Sequence, residues 1–414
     1  MTSIVGVLNK HAVAVAADSA VTIGGRKVLN SANKIFALSK YEPVAIAIYN
    51  NSDLISAPWE VVIKEYRKHL CDKKMQKLED YVNDFFDYIR TRYYFTEEEE
   101  QKEYLAAQFN RFIEAFSDEI PLGADFERLL IEKINKKQVE SYGNRTPMDC
   151  FNGMSLADFS SKCNEEIDKC LQNIKTKYSC DIDKDILTNL LYSMFICDQL
   201  LFNTTGLVFV GYGESEIYPS LFSYRTYCII DGKLSLFHDK GGDATIGRKC
   251  SAVIIPFAQI DVIHTIVRGI APLVKDIYLD NFINPIEKLL NDVVAIVKKD
   301  NSNTSDKIEQ FIKNGLQGYR TDFEVLCDTL TRRSYITPFV NSVISLDKED
   351  LADFAESLIK LTSIKRKISP DQSTVGGPID VMIISKGDGI IWMKRKRYFD
   401  PELNHQFLDN YYKG

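Results

Sequence analysis

Apolar β-type runs in this chain come in clusters, and its helical stretches do too. Residues 3–8 and 12–16 flank the turn Asn9-Lys10-His11, which reads as a hairpin at the N-terminus. Runs at 35–38 and 44–49 follow across a polar turn ending at Pro43, after a loop containing Gly24-Gly25. The period then changes. Ile55, Trp59, Val62, Tyr66 and Leu70 recur at three- and four-residue steps, one face of a helix. Residues 71–203 are rich in Lys, Glu, Leu, Tyr and Phe and read as mostly helical. β-type sequence returns at 206–237, with a hairpin turn at Asp231-Gly232, and at 250–255. Helical sequence resumes from 258 and continues through 272–332. A stretch at 347–362 carries Leu351, Phe354, Ala355, Leu358 and Leu361 along one stripe. Gly376-Gly377-Pro378 leads into the run 379–384, and Asp388-Gly389 turns it back through 390–393 as a closing hairpin.

Strands that follow strands and helices that follow helices argue against a doubly wound βαβ sheet. They predict an α+β chain, a layered sandwich of hairpins and helices. Its 414 residues suffice for two to three ordinary domains, or for one with large insertions. The pattern favours the second: a core of residues 1–70, 204–271 and 346–400, a helical insertion at 71–203, a smaller one at 272–345, and a tail at 401–414.

Composition narrows the function classes. With 51 Lys+Arg against 58 Asp+Glu, the net charge of −7 gives no bulk attraction to nucleic acid or anionic lipid. The run Lys394-Arg395-Lys396-Arg397 reads as a solvated strand end. No stretch approaches the roughly 18 apolar residues of a membrane span. The start MTSIVGVLNK lacks the basic region and apolar run of a signal peptide. The nine cysteines are irregularly spaced without a CxxC pair, and the five histidines are scattered. A disulfide framework and a structural zinc site have no support. The expectation is a cytoplasmic protein with no metal, no cofactor, no nucleic-acid partner and no membrane partner.

Chemistry concentrates at the N-terminus. Removal of Met1, with no propeptide to cleave, exposes Thr2. An N-terminal threonine carries a hydroxyl nucleophile and, on the same residue, an α-amine whose reference pKa of about 7.7–8.0 leaves part of it neutral near pH 7. Asp18 closes the second strand run and Lys34 opens the third. If the Lys34 strand lies beside the first two, Thr2, Asp18 and Lys34 converge at one sheet end. A lysine there lowers the amine pKa and stabilises a developing alkoxide, and an aspartate holds the lysine oriented.

The spacing resembles that of the proteasome β-subunit and HslV peptidase family, the threonine members of the N-terminal nucleophile (Ntn) hydrolases. Sixteen residues lead from Thr2 to Asp18 and sixteen more to Lys34. The words Thr2-Ser3-Ile4-Val5-Gly6-Val7, Val15-Ala16-Ala17-Asp18 and Lys34-Ile35-Phe36 match as well. So, more weakly, do Val208-Phe209-Val210-Gly211 and Gly376-Gly377 before Ile379-Asp380-Val381. About half the chain is covered, and the two insertions have no counterpart. The resemblance implies a four-layer αββα Ntn-hydrolase sandwich and an oligomeric threonine protease. It would cleave peptide bonds through an acyl-enzyme, with a peptide or protein substrate, a homo-oligomeric assembly and an ATP-dependent unfoldase as partners. Alternatives are an inactive Ntn-fold scaffold or partner-binding module, and an amidase for a small non-peptide amide.

The chain departs from the family in three places. The family takes its oxyanion donor from a glycine after the fourth strand. Here the stretch is Ile48-Tyr49-Asn50-Asn51, so the backbone N–H of Asn50 takes that role. The family's supporting serine is absent from Ile255-Pro256-Phe257-Ala258-Gln259. Its second Asp-x-x-Ser group falls on Asp371-Gln372-Ser373-Thr374-Val375, out of register, which makes Asp371, Ser373 and Thr374 the candidates to orient the amine.

Overall fold

The computed structural model describes residues 2–406 except 24–26, 93–96, 119, 122, 124, 138–147, 197–203, 231–232, 301, 369–375, 398 and 401. Asp371, Ser373, Thr374 and the Gly24-Gly25 and Asp231-Gly232 turns lie outside the described residues, as does most of the 401–414 tail.

Eleven strands build two antiparallel sheets. They are β1 (Ser3–Asn9), β2 (Val13–Ala17), β3 (Ile35–Ala37), β4 (Val44–Asn50), β5 (Thr205–Gly211), β6 (Ser220–Thr226), β7 (Phe237–His238), β8 (Ala244–Thr245), β9 (Ala252–Ala258), β10 (Asp380–Ser385) and β11 (Gly389–Lys394). The first sheet runs β9-β1-β2-β10-β11. The second runs β7-β6-β5-β4-β3, with β8 also paired to β6. Both termini of the chain therefore meet in one sheet: β2 pairs with β1 on one edge and with β10 on the other. Residues 221–230, the arm of the hairpin expected before Asp231-Gly232, divide in two. Residues 220–226 join the second sheet, while Ile229–Ile230 pairs with Lys233–Leu234 as a ribbon of its own.

Period-2 alternation explains why the strand runs are continuously apolar: both faces are buried. From β1, Ile4 and Leu8 share a core with Ala45, Ala47, Val208 and Val210 of the second sheet. Gly6 is on that same face, where a Cβ would lie 2.8 Å from Leu221 Cδ1 of the opposite sheet. The alternate residues Val5 and Val7, with Ala14 and Ala16 of β2, face the helices α8 (Asp261–Arg268), α11 (Thr337–Ile344) and α12 (Lys348–Ile368). Alanines on β2 and Ala352 and Ala355 on α12 let that helix approach closely. The buried stripe of α12 runs through Leu351, Ala355, Leu358 and Ile359, whereas Leu361 is 46% exposed.

The outer face of the second sheet, Val44, Ile46, Leu207 and Phe209, packs on α1 (Trp59–Leu70) and α2 (Leu78–Thr91). Phe85 and Phe86 of α2 both stand edge-on to Phe209, so α2 is part of this core although it lies within 71–203. Each such fully buried large side chain contributes roughly 1.5–3 kcal/mol. Beyond α2, five helices form a core of their own: α3 (Glu98–Ser117), α4 (Phe126–Lys137), α5 (Leu156–Lys162), α6 (Asn164–Tyr178) and α7 (Lys184–Ile196). Phe109, Phe151, Phe159 and Phe195 lie at its centre. Two long helices, α9 (Pro272–Asp300) and α10 (Ser302–Thr331), complete the chain.

Candidate active site

The β1–β2 register places Ile4 opposite Ala17, so the next pair outward is Ser3 and Asp18. Asp18 N–H donates to Ser3 O at 3.2 Å, and Ser3 N–H returns a bond to Asp18 Oδ1 at 2.8 Å. The amide joining Thr2 to Ser3 is thereby tied to the Asp18 carboxylate. Lys34 Nζ donates to the same oxygen at 2.7 Å and to Ala20 O at 2.6 Å. Asp18 Oδ2 accepts from Ala20 N–H at 3.2 Å and from Gly376 N–H at 3.1 Å. A buried carboxylate with four donors is fixed in place. Thr2, Asp18 and Lys34 are all at most 5% exposed.

The convergence differs in one respect from the sequence expectation. The Lys34 strand does not lie beside β1 and β2. Lys34 precedes β3 in the second sheet, where its carbonyl accepts from Ile48 N–H at 2.8 Å. It reaches Asp18 from the facing sheet. Burial pushes the Lys34 ammonium below the ordinary lysine pKa, with the Asp18 carboxylate opposing that shift. Lys396 lowers it further and Asp380 raises it.

The buried Asp380 and the partly buried Lys396 form a second pair, which sequence reasoning missed. Asp380 sits opposite Ala17, one residue from Asp18 along β2. Its Oδ1 accepts from Lys396 N–H at 2.8 Å, and Oδ2 pairs with the Lys396 ammonium. A lone carboxylate opening the apolar run 379–384 was the available signal. Nothing in the basic run distinguished Lys396. That run is not simply a solvated strand end: Lys394 Nζ also binds the buried Glu356 at 2.5 Å, and Arg395 lies over the Trp392 ring.

Asn50 ends β4 with φ 67°, in the left-handed region where glycine is at ease and Asn is the best tolerated alternative. The corner is anchored from both sides. Asn51 N–H donates to Thr204 O at 3.3 Å, so that amide is committed. Thr205 Oγ1 donates to Asn51 O at 3.1 Å while accepting from the buried Trp59 Nε1 at 2.8 Å.

Ala258 has φ 64° and pairs with Ser3 at the end of the β1–β9 ladder. Thus two non-glycine residues with left-handed backbone stand at strand ends, Asn50 two residues beyond the partner of Lys34 and Ala258 opposite Ser3. Such strain persists only where the surroundings over-determine it.

Gly376 also accepts from Ser19 N–H at 3.1 Å, and Ser19 Oγ donates to Pro378 O at 2.5 Å. Gly377 has φ 77°, and a Cβ there would lie 2.8 Å from Asn30 Cβ. The Gly-Gly pair is what brings the segment before β10 against Asp18. Asp371, Ser373 and Thr374 fall outside the described residues. Among the described residues, no three His, Cys, Asp or Glu side chains are grouped to hold a metal. No described helix is long and apolar enough to cross a membrane.

No family model matches the chain, and a search of curated proteins finds no match. Among solved structures, it is similar to the Anbu (Gly-1) mutant from Hyphomicrobium sp. strain MC1, at 8% identity and a TM-score of 0.30, over 100% of this chain and 96% of that one. A likeness this low carries no argument about fold or activity.

Proposed function

We propose that this chain is a threonine-type Ntn hydrolase with the four-layer αββα fold, resembling the proteasome β-subunit and HslV peptidases. Helices packed outside each of two facing sheets support the fold assignment. The observation that carries the activity is the single oxygen, Asp18 Oδ1, that binds both the Lys34 ammonium and the amide next to Thr2.

Loss of Met1 frees the Thr2 amine. Thr2 Oγ attacks the substrate carbonyl and the amine takes the hydroxyl proton. The tetrahedral oxyanion is held by the backbone N–H of Asn50. Its collapse expels the amine product, which leaves with that proton, and forms an ester on Thr2. Water, deprotonated by the Thr2 amine, attacks the ester and releases the acid. The Lys34 charge disfavours protonation of the amine and stabilises the alkoxide. A cytoplasmic peptide or protein is the proposed substrate, and an oligomer fed by an ATP-dependent unfoldase is the assembly implied by the resemblance. An inactive Ntn-fold module is the second reading. It is favoured by Gln259, which stands where a family member carries the serine region.

Intact mass with an electrophile that captures N-terminal threonines tests the proposal. One adduct on a chain lacking Met1, absent in Thr2→Ala, is the expected result. A chain that has lost Met1 and takes up no adduct overturns the hydrolase and leaves the module.

A further inference from the structure

Helices α9 and α10 are each about 30 residues long, roughly 44 Å at 1.5 Å per residue. Three contacts fix them as antiparallel neighbours: Lys275 with Asp328 at 2.5 Å, Asp280 with Arg320 at 3.2 Å, and Phe282 stacked on Phe323 with ring centroids 4.8 Å apart. These contacts leave Tyr278, Leu289, Val293 and Ile296 of α9 and Tyr319, Leu326 and Leu330 of α10 exposed.

That surface is apolar in a particular pattern. On α10, Tyr319, Phe323, Leu326 and Leu330 recur at steps of four, three and four. On α9, Phe282, Leu289, Val293 and Ile296 recur at seven, four and three, with Tyr278 one turn before and Pro285 inside the helix at the seam position between Phe282 and Leu289. These are the spacings of coiled-coil seams, the stripe that packs on a facing helix. The two seams lie on the same side of the hairpin. In an antiparallel pair each seam is rotated the same way from the facing surface, and the Phe282–Phe323 stack joins them. Apart from Phe323, these eight side chains are 43–66% exposed.

We infer that this face binds the same face of a second copy of this chain, the two hairpins closing into a four-helix bundle about a twofold axis. Two antiparallel seams on one side need two antiparallel seams opposite, and a twofold copy supplies them without a second gene product. The area is sufficient. At roughly 150–250 Å² for each aromatic side chain and less for each aliphatic one, the exposed part of the eight comes to roughly 600–800 Å². One partner of a standard interface buries about 800 Å². An apolar strip of this extent is more than a monomer ordinarily leaves in water. The inference does not depend on any reaction at Thr2.

Sedimentation equilibrium of the full chain at micromolar concentrations tests it, together with a Leu289→Glu/Leu326→Glu variant. A wild-type dimer whose dissociation constant rises by about tenfold or more in the variant, with unchanged far-UV circular dichroism, is expected. A wild-type monomer overturns the inference, whatever else the face then binds. A dimer that survives the double substitution also overturns it, since the contact is then elsewhere. If the variant fails to fold, hydrogen exchange of the wild type decides. Amides of 278–296 and 319–330 must gain protection as protein concentration rises, and unchanged protection there overturns the dimer.

Discussion

Lys34 Nζ stands 2.7 Å from Asp18 Oδ1 although their flanking strands belong to different sheets. The pair is a bolt across the shared core as well as the electrostatic centre of the candidate site. Removing one partner leaves the other buried, charged and unpaired, which costs about 3–5 kcal/mol. Urea unfolding of Asp18→Asn and Lys34→Met should each show a loss of that size. The double variant should lose clearly less than the two losses added, because neither charge is then orphaned. Strict additivity would mean that the two side chains act independently.

Stability should also depend on pH through Lys34. Burial holds its pKa in the folded chain below the ordinary value of 10.5. Between that lowered pKa and 10.5 the unfolded chain binds more protons than the folded one, so this group makes stability rise with pH in that window. As pH falls through the folded pKa, the contribution is lost. Other groups titrate there too, so the quantity to measure is wild type minus Lys34→Met. A difference that falls with rising pH in that window would contradict the lowered pKa.

Lys396 is expected to act on Lys34 through charge. Lys396→Met removes a cation that lowers the Lys34 pKa and leaves Asp380, which raises it. The lower edge of that window should move to higher pH, narrowing it, and the buried Asp380 should cost about 3–5 kcal/mol of stability. Thermal melts over a pH series report both. An unmoved window with lost stability would leave Lys396 a structural role only.

Backbone strain separates the residues at Asn50 and Ala258 from their neighbours. Asn50→Gly should be close to neutral in stability. Asn50→Val should lose roughly 1–2 kcal/mol, the cost of left-handed backbone for an ordinary side chain. Ala258→Gly relieves such a cost and should be neutral or stabilising, once the extra freedom of glycine in the unfolded chain, about 0.5–1 kcal/mol, is set against it. Chemical denaturation of the three variants checks the order. If Asn50→Val equalled wild type, the left-handed corner would be wrong.

Thr205→Val should disturb that same corner without touching Thr2. It removes the hydroxyl that links Trp59 Nε1 to Asn51 O and orphans the buried indole N–H, at about 1–3 kcal/mol. Electrophile capture at Thr2 should slow in this variant more than in Trp59→Phe, which leaves the Thr205–Asn51 bond in place. Equal rates would detach the corner from the site.

Much of this was legible in the sequence. Clustered runs gave the α+β class, because an apolar run of strand length with no helical period has nowhere to go but a sheet buried on both faces. The candidate trio Thr2, Asp18 and Lys34 came from its spacing and the family that spacing resembles, and of its contacts a hairpin's register, set by its turn, accounts for Ser3 opposite Asp18 alone. What only tertiary structure decided was contact between segments distant in sequence. Lys34 comes from the opposing sheet, Gly376 reaches Asp18 across 358 residues, and Lys396 is drawn out of a basic run by Asp380. Periodicity records which face of an element is buried, not which other element covers it. Charge pairing across a fold leaves no period at all in the chain.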